Sequence, residues 1–169
     1  MNSTIKKVVV LGGGTSGWIT AALLKKILGT AIQLELVESD DIGTIGVGEA
    51  TIPPIQHLNN VLGINEIEFL RETKATIKLG VNFEHWKNKG HSYLHSFGAA
   101  GKSSPFCHFH HLLKRMKQLE DDSYLWQYDL NYLCAKAGKF AKIQSKNPIL
   151  ELPYAYHFDS IWIICKVLT

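Results

Sequence analysis

An apolar, β-branched run from Ile5 to Leu11, broken only by Lys6 and Lys7, leads directly into Gly12-Gly13-Gly14-Thr15-Ser16-Gly17-Trp18. The run reads as a buried parallel strand. Trp18 to Leu28 then reads as a helix ending at Gly29, and Ile32 to Val37 as a second strand closed by Glu38. Gly12, Gly14 and Gly17 fall on the G-x-G-x-x-G spacing. Gly12 permits a tight turn out of the strand, Gly14 lets backbone approach a pyrophosphate, and Gly17 lets the helix pack close to the sheet. The N–H groups and positive dipole end of the new helix hold phosphates. A carboxylate at the end of the second strand accepts hydrogen bonds from an adenosine ribose and repels a 2′-phosphate. Strand, glycine turn, helix, strand and acid follow in the order of a dinucleotide-binding βαβ unit, which disfavours an accidental glycine pattern. The glycines by themselves do not separate FAD from NAD.

The chain of 169 residues, 46% hydrophobic and 20% charged, is long enough for one globular domain with a core. A formal charge of +3 without a dense basic cluster argues against nucleic acid, and Lys25, Lys26, Lys142 and Lys146 read as solvated faces. Cys107, Cys134 and Cys165 are widely spaced and odd in number, so they suggest idle thiols in a reducing cytoplasm. Met1-Asn2-Ser3-Thr4 runs into the first strand without an apolar leader, and no stretch is long enough to span a bilayer. A soluble, cytoplasmic protein is expected.

Beyond Glu38, the stretch Ile42 to Pro54 carries three glycines and two prolines, which excludes a helix and suits a bare-backbone loop. Pro54 is placed to open a helix that Gly63 ends, and Asn65 with Glu68 suggests the start of another. From Ala75 the period becomes two: Ile77, Leu79, Val81 and Phe83 form one face of a strand, with Lys78 on the opposite, polar face. Lys74 shares that face. A short strand is expected over His91–Phe97, helices over Phe106–Glu120 and Tyr128–Lys136, and strand-like structure over Tyr154–Asp159. His108, His110 and His111, with His91 and His95 upstream, lack a carboxylate or cysteine to complete a ligand set, so no metal is expected.

Four stretches give a more specific indication. Gly12-Gly13-Gly14-Thr15-Ser16-Gly17-Trp18 matches G-G-G-T-[AS]-G-W, and Gly46-Val47-Gly48-Glu49-Ala50-Thr51-Ile52-Pro53 matches G-V-G-E-A-T-I-P residue for residue. Ile77-Lys78 stands about thirty residues beyond that signature. His95-Ser96-Phe97-Gly98 and Tyr156-His157-Phe158-Asp159 match H-x-F-G and Y-H-F-D. With these motifs the chain resembles the flavin-dependent tryptophan halogenase family up to about Ser160, while the tail 161–169 departs from the pattern. The resemblance implies an α/β, Rossmann-like FAD-binding module of the flavin monooxygenase/halogenase type. It is expected to be incomplete, since residues 1–169 correspond to the N-terminal part of one such domain.

The same resemblance implies the site. Gly12, Gly14, Thr15, Ser16, Gly17, Glu38, Gly48, Glu49 and Ala50 are expected around FAD, with Glu49 given no proton-transfer role. Lys78 matches the family's active-site lysine; without the family it would read as a solvent-facing strand lysine no different from Lys74. Reduced FAD, delivered by a separate flavin reductase, reacts with O2 and chloride or bromide to give hypohalous acid. Lys78 then directs the halogen onto an electron-rich, indole-like aromatic, by hydrogen bonding or as a haloamine. Two alternatives stand beside this: a flavin-dependent hydroxylase, and a dinucleotide-binding fragment without catalysis. The chain on its own is expected to be inactive.

Overall fold

The computed structural model describes residues 4–42, 48–143 and 151–159. In chain order the elements are β1 Lys7–Leu11, α1 Thr15–Leu28, β2 Gln33–Val37, β3 Gly48–Ala50, α2 Pro54–Leu62, α3 Glu66–Glu72 and β4 Thr76–Lys78. They continue with β5 Gly80–Glu84, β6 Ser92–Ser96, α4 Phe109–Gln118, a 3-10 turn Leu125–Tyr128, α5 Leu130–Lys136 and β7 Ala155–Asp159. The chain divides into two compact units, Met1–Thr76 with Tyr156–Thr169, and Ile77–Ala155.

The first unit begins with the predicted βαβ arrangement. β1 and β2 pair in parallel from Lys7↔Gln33 to Leu11↔Val37, and the Gly12 N–H extends the ladder to the Val37 carbonyl at 2.8 Å. The expectation that this first strand is buried fails. Val9 is 52% exposed and Leu11 85% exposed, because β1 and β2 form a two-stranded sheet among the described residues and nothing covers its apolar outer face. Pro54 opens α2 and Gly63 caps it in the left-handed region at φ 76°, as its sequence suggests. Asn65 caps α3, its side chain accepting from the N–H groups of Ile67 at 3.0 Å and Glu68 at 3.1 Å.

The stretch read as a bare loop is corrected in part. Gly48–Ala50 forms a strand, paired antiparallel with β7 through Gly48↔Asp159, Glu49↔Phe158 and Ala50↔His157. Thr51 continues the pairing by exchanging hydrogen bonds with the Tyr156 backbone at 3.0 Å. A distant partner strand supplies the ladder that local composition does not suggest. Residues 43–47 and the tail 161–169 lie outside the described residues. Where β7 returns, Phe69 of α3 sits between Tyr156 and Phe158, with ring centroids 5.1 and 5.2 Å away. All three rings are buried, and the Tyr156 hydroxyl donates to Glu66 at 2.8 Å.

In the second unit β5 and β6 form an antiparallel hairpin, Gly80↔Ser96 through Glu84↔Ser92. Strand patterning from Ile77 to Phe83 holds in part: the ladder breaks at Leu79, between β4 and β5, and the alternation of burial fails at Lys78 and Leu79. The helix expected over Phe106–Glu120 is shorter, Phe109–Gln118, with Leu113 buried and Phe106 exposed. That expected from Tyr128 starts instead at Leu130, because Asp129 caps it by accepting from the Tyr132 N–H at 2.9 Å.

Phe69 is the fully buried centre of the first unit's aromatic cluster. Phe69→Ala is expected to lower the unfolding free energy by about 3–5 kcal/mol, measured by chemical denaturation.

Candidate functional site

The glycine turn is shaped by close approach. Gly12 has φ 119°, and a Cβ at Gly17 would lie 1.9 Å from the Gly12 carbonyl oxygen, so α1 sits on the turn at a distance only glycine allows. A Cβ at Gly13 would fall 1.8 Å from the Glu38 carboxylate, and the Trp18 indole N–H donates to that carboxylate at 3.3 Å. Glu38 is thereby brought from the end of β2 onto the turn. Trp18, which an ordinary glycine turn does not require, orients it.

By contrast, a Cβ at Gly14 would meet nothing within 4 Å. Gly14 is the N-cap of α1 with extended backbone, no side chain caps the helix, and its first turn holds no acidic residue. The amides of Thr15, Ser16 and Gly17 therefore stand at a helix start with no side-chain acceptor from the cap, beside the open space at Gly14. An open cradle, a free helix N-terminus and an adjacent carboxylate fit a dinucleotide. Gly48, Glu49 and Ala50 lie on β3, with Glu49 half-buried opposite Phe158.

Lys78 is not at the solvent-facing position that strand periodicity alone would give it. It is 8% exposed, and Leu79 beside it is equally buried. Strict alternation would expose one of the two, and the break in the ladder at Leu79 lets both turn inward. The Lys78 ammonium lies 5.6 Å from the centroid of the Phe97 ring, within cation–π range. Burial lowers its pKa from the ordinary 10.5. Lys74 is exposed in the turn after α3 at φ 50°, so the two lysines that sequence periodicity leaves equivalent are separated by the fold.

Two residues missed in the sequence stand behind this lysine. Asp129 and Asn131 are fully buried. The Ser96 hydroxyl donates to the Asp129 carboxylate, and the Asn131 amide donates to the carbonyls of Leu79, at 3.3 Å, and Pro153. An acid immediately before the apolar stripe of α5 was the available signal for a cap. The histidines at 108 and 110 stack at 5.8 Å between centroids, and His111 lies tilted against His110 at 3.9 Å. Among the described residues no group of three or more His, Cys, Asp or Glu side chains is arranged to hold a metal. Cys107 and Cys134 are free thiols, and Cys165 lies outside the described residues.

These features define an α/β protein built on a Rossmann-like strand, glycine turn and helix. The chain belongs to the tryptophan halogenase family, whose model matches residues 7–163. It is 33% identical over 175 aligned positions to tryptophan 7-halogenase RebH of Lentzea aerocolonigenes, covering 95% of this chain and 33% of that one. Over 91 residues it is 48% identical to tryptophan 6-halogenase SttH of Streptomyces toxytricini, covering 54% of this chain and 17% of the relative. Xcc4156, a flavin-dependent halogenase from Xanthomonas campestris, matches in structure with a TM-score of 0.86 at 38% identity, over 98% of this chain and 33% of its own. BrvH, a flavin-dependent halogenase from Brevundimonas sp. BAL3, matches with a TM-score of 0.83 at 32% identity and the same coverage. The chain thus spans at most about a third of the length of these relatives.

The turn's geometry separates two glycine substitutions, made in a protein of the relatives' length. Gly14→Ala is expected to leave stability within about 1 kcal/mol of the parent while weakening FAD binding. Gly17→Ala is expected to cost about 1–3 kcal/mol through overlap with the Gly12 carbonyl. Thermal melts and flavin fluorescence titration distinguish the two.

Proposed function

We propose that this chain is part of a flavin-dependent halogenase acting on indole or another electron-rich aromatic. Residues 1–169 are read as part of one FAD-binding halogenase domain in a protein of its relatives' length. The observation that carries the reading is the buried Lys78 facing the Phe97 ring. Gly12, Gly14, Thr15, Ser16, Gly17 and Glu38 would hold the dinucleotide end of FAD, and Gly48, Glu49 and Ala50 would belong to its surroundings. The bound cofactor supplies hypohalous acid from O2 and chloride or bromide, with reducing equivalents from a separate flavin reductase in the cytoplasm.

Lys78 then has two routes open to it. As an ammonium it donates a hydrogen bond to the oxygen of hypohalous acid, making the halogen more electrophilic. As a neutral amine it exchanges one N–H for N–halogen, releasing water, and later returns to the amine as halogen passes to the ring and the ring proton leaves. Burial keeps this chemistry away from bulk water, and the lowered pKa enlarges the neutral fraction. A hydroxylase has no use for a buried lysine here, which favours halogenation over oxygen insertion.

Because the folded chain holds the Lys78 proton less tightly than the unfolded chain does, the lysine opposes folding at neutral pH. That penalty fades as pH rises through the lowered pKa toward 10.5. In a full-length protein, Lys78→Met is expected to melt no lower than the parent at neutral pH, with any advantage vanishing near pH 10.5. The same variant is expected to lose at least about 10²-fold in halogenation while binding FAD normally. Retained halogenation would overturn the lysine's role.

A specific observation also favours inactivity of the 169-residue chain by itself. Val9 and Leu11 are exposed on the β1–β2 sheet, and a largely apolar cavity of about 540 Å³ opens among Trp18, Ala21, Leu34, Leu36, Leu62 and Ile64, lined also by Lys25 and Lys26. Such surface promotes association rather than ordered binding. Expressed alone and supplied with a flavin reductase, halide and indole, the chain is expected to give no halogenated product. Measurable product would refute this.

A further inference from the structure

The hydrogen bonds around Lys78 converge on the start of α5. Asn131 donates to the carbonyl of Leu79, the residue immediately following Lys78, and that carbonyl also accepts from the Phe97 N–H at 2.9 Å. Asp129 accepts from Ser96, the residue immediately preceding Phe97. One helix end thus reaches the residue after the lysine and the residue before the phenylalanine whose ring faces it.

The two side chains serve more than local stability. The Asn131 carbonyl oxygen is buried without a hydrogen-bond partner among the described residues, an arrangement that an apolar residue of similar size would avoid. Room for the amide is made by Gly98, where a Cβ would lie 2.8 Å from that oxygen. A position that keeps a half-satisfied amide, and a glycine to admit it, retains the amide for its donor. We propose that Asp129 and Asn131 are positioning residues for the halogen-directing lysine, holding the Lys78 backbone through Leu79 and the Phe97 ring through Ser96. The proposal rests on the reading of Lys78 given above, and it assigns neither residue a contact with substrate or cofactor.

The test uses a full-length protein carrying this segment, with Ser96→Ala, Ser96→Thr and Asn131→Leu. The first readout needs no catalysis: the rate of Lys78 acetylation relative to exposed Lys74, followed by peptide mass spectrometry in folded protein. Ser96→Ala and Asn131→Leu are expected to raise that ratio severalfold. They are also expected to lower kcat on the order of 10²-fold with KM held within about twofold. Ser96→Thr, which keeps the hydroxyl, is expected to restore both quantities toward the parent. An unchanged labelling ratio and kcat in folded Ser96→Ala, or a threonine variant no better than alanine, would overturn the proposal. Should Asn131→Leu not fold, the Ser96 pair decides. Continued halogenation by Lys78→Met would instead sink the chemical role of the lysine, while the labelling ratio would still decide whether Asp129 and Asn131 hold it in place.

Discussion

Taking a lysine ammonium out of water is costly, and in the second unit the arrangement around that charge involves several otherwise unrelated features. The ladder breaks at Leu79, so that consecutive residues turn inward. An aromatic face stands opposite the charge. Gly80 lets the hairpin close tightly, since a Cβ there would lie 2.5 Å from the His95 carbonyl oxygen. α5 contributes buried polar side chains rather than the apolar ones a short helix usually turns inward. The result is a buried setting for the lysine, with its supports at the ends of helix and strand.

The first unit solves a different problem by removing side chains rather than by burying one. Gly17 permits contact between helix and turn, Gly13 permits contact between turn and Glu38, and Gly14 leaves a space unfilled. Only the last of these is open for a ligand, so the glycines of one motif have separable roles. Trp18 belongs to the same economy: its indole N–H fixes the carboxylate that Gly13 admits.

Local elements were legible in the sequence where a residue's local chemistry decides its structure. Gly29 and Gly63 end helices, Asn65 starts one, and the short strand expected over His91–Phe97 is found at Ser92–Ser96. What escaped depends on distant partners. Gly48–Ala50 is a strand only because Tyr156–Asp159 lies beside it, and Lys78, on what looks like a polar face, is buried with the Phe97 ring opposite it. Asp129 and Asn131 read as ordinary helix-start residues, since nothing in their neighbourhood announces that Ser96 and Leu79 are within reach. The exposed Val9 and Leu11 show the reverse case, in which a run with the composition of an interior strand has no cover among the described residues. Motif identity and local order were visible, and burial was not.

The pairing of β3 with β7 joins Thr51 to Tyr156 across 105 residues of chain. The second unit is therefore, in sequence, an insertion within the first. Closing a flexible loop of that length carries an entropic cost of about 4 kcal/mol, whereas a folded insertion with its ends held near each other carries much less. During synthesis the first unit must wait for the insertion before Tyr156 and Phe158 can reach Phe69, so its aromatic core is assembled from both sides of a domain-sized detour. The strand bearing Gly48, Glu49 and Ala50 acquires its partner only when that detour is complete, and order on the proposed cofactor side thereby becomes contingent on folding around the lysine.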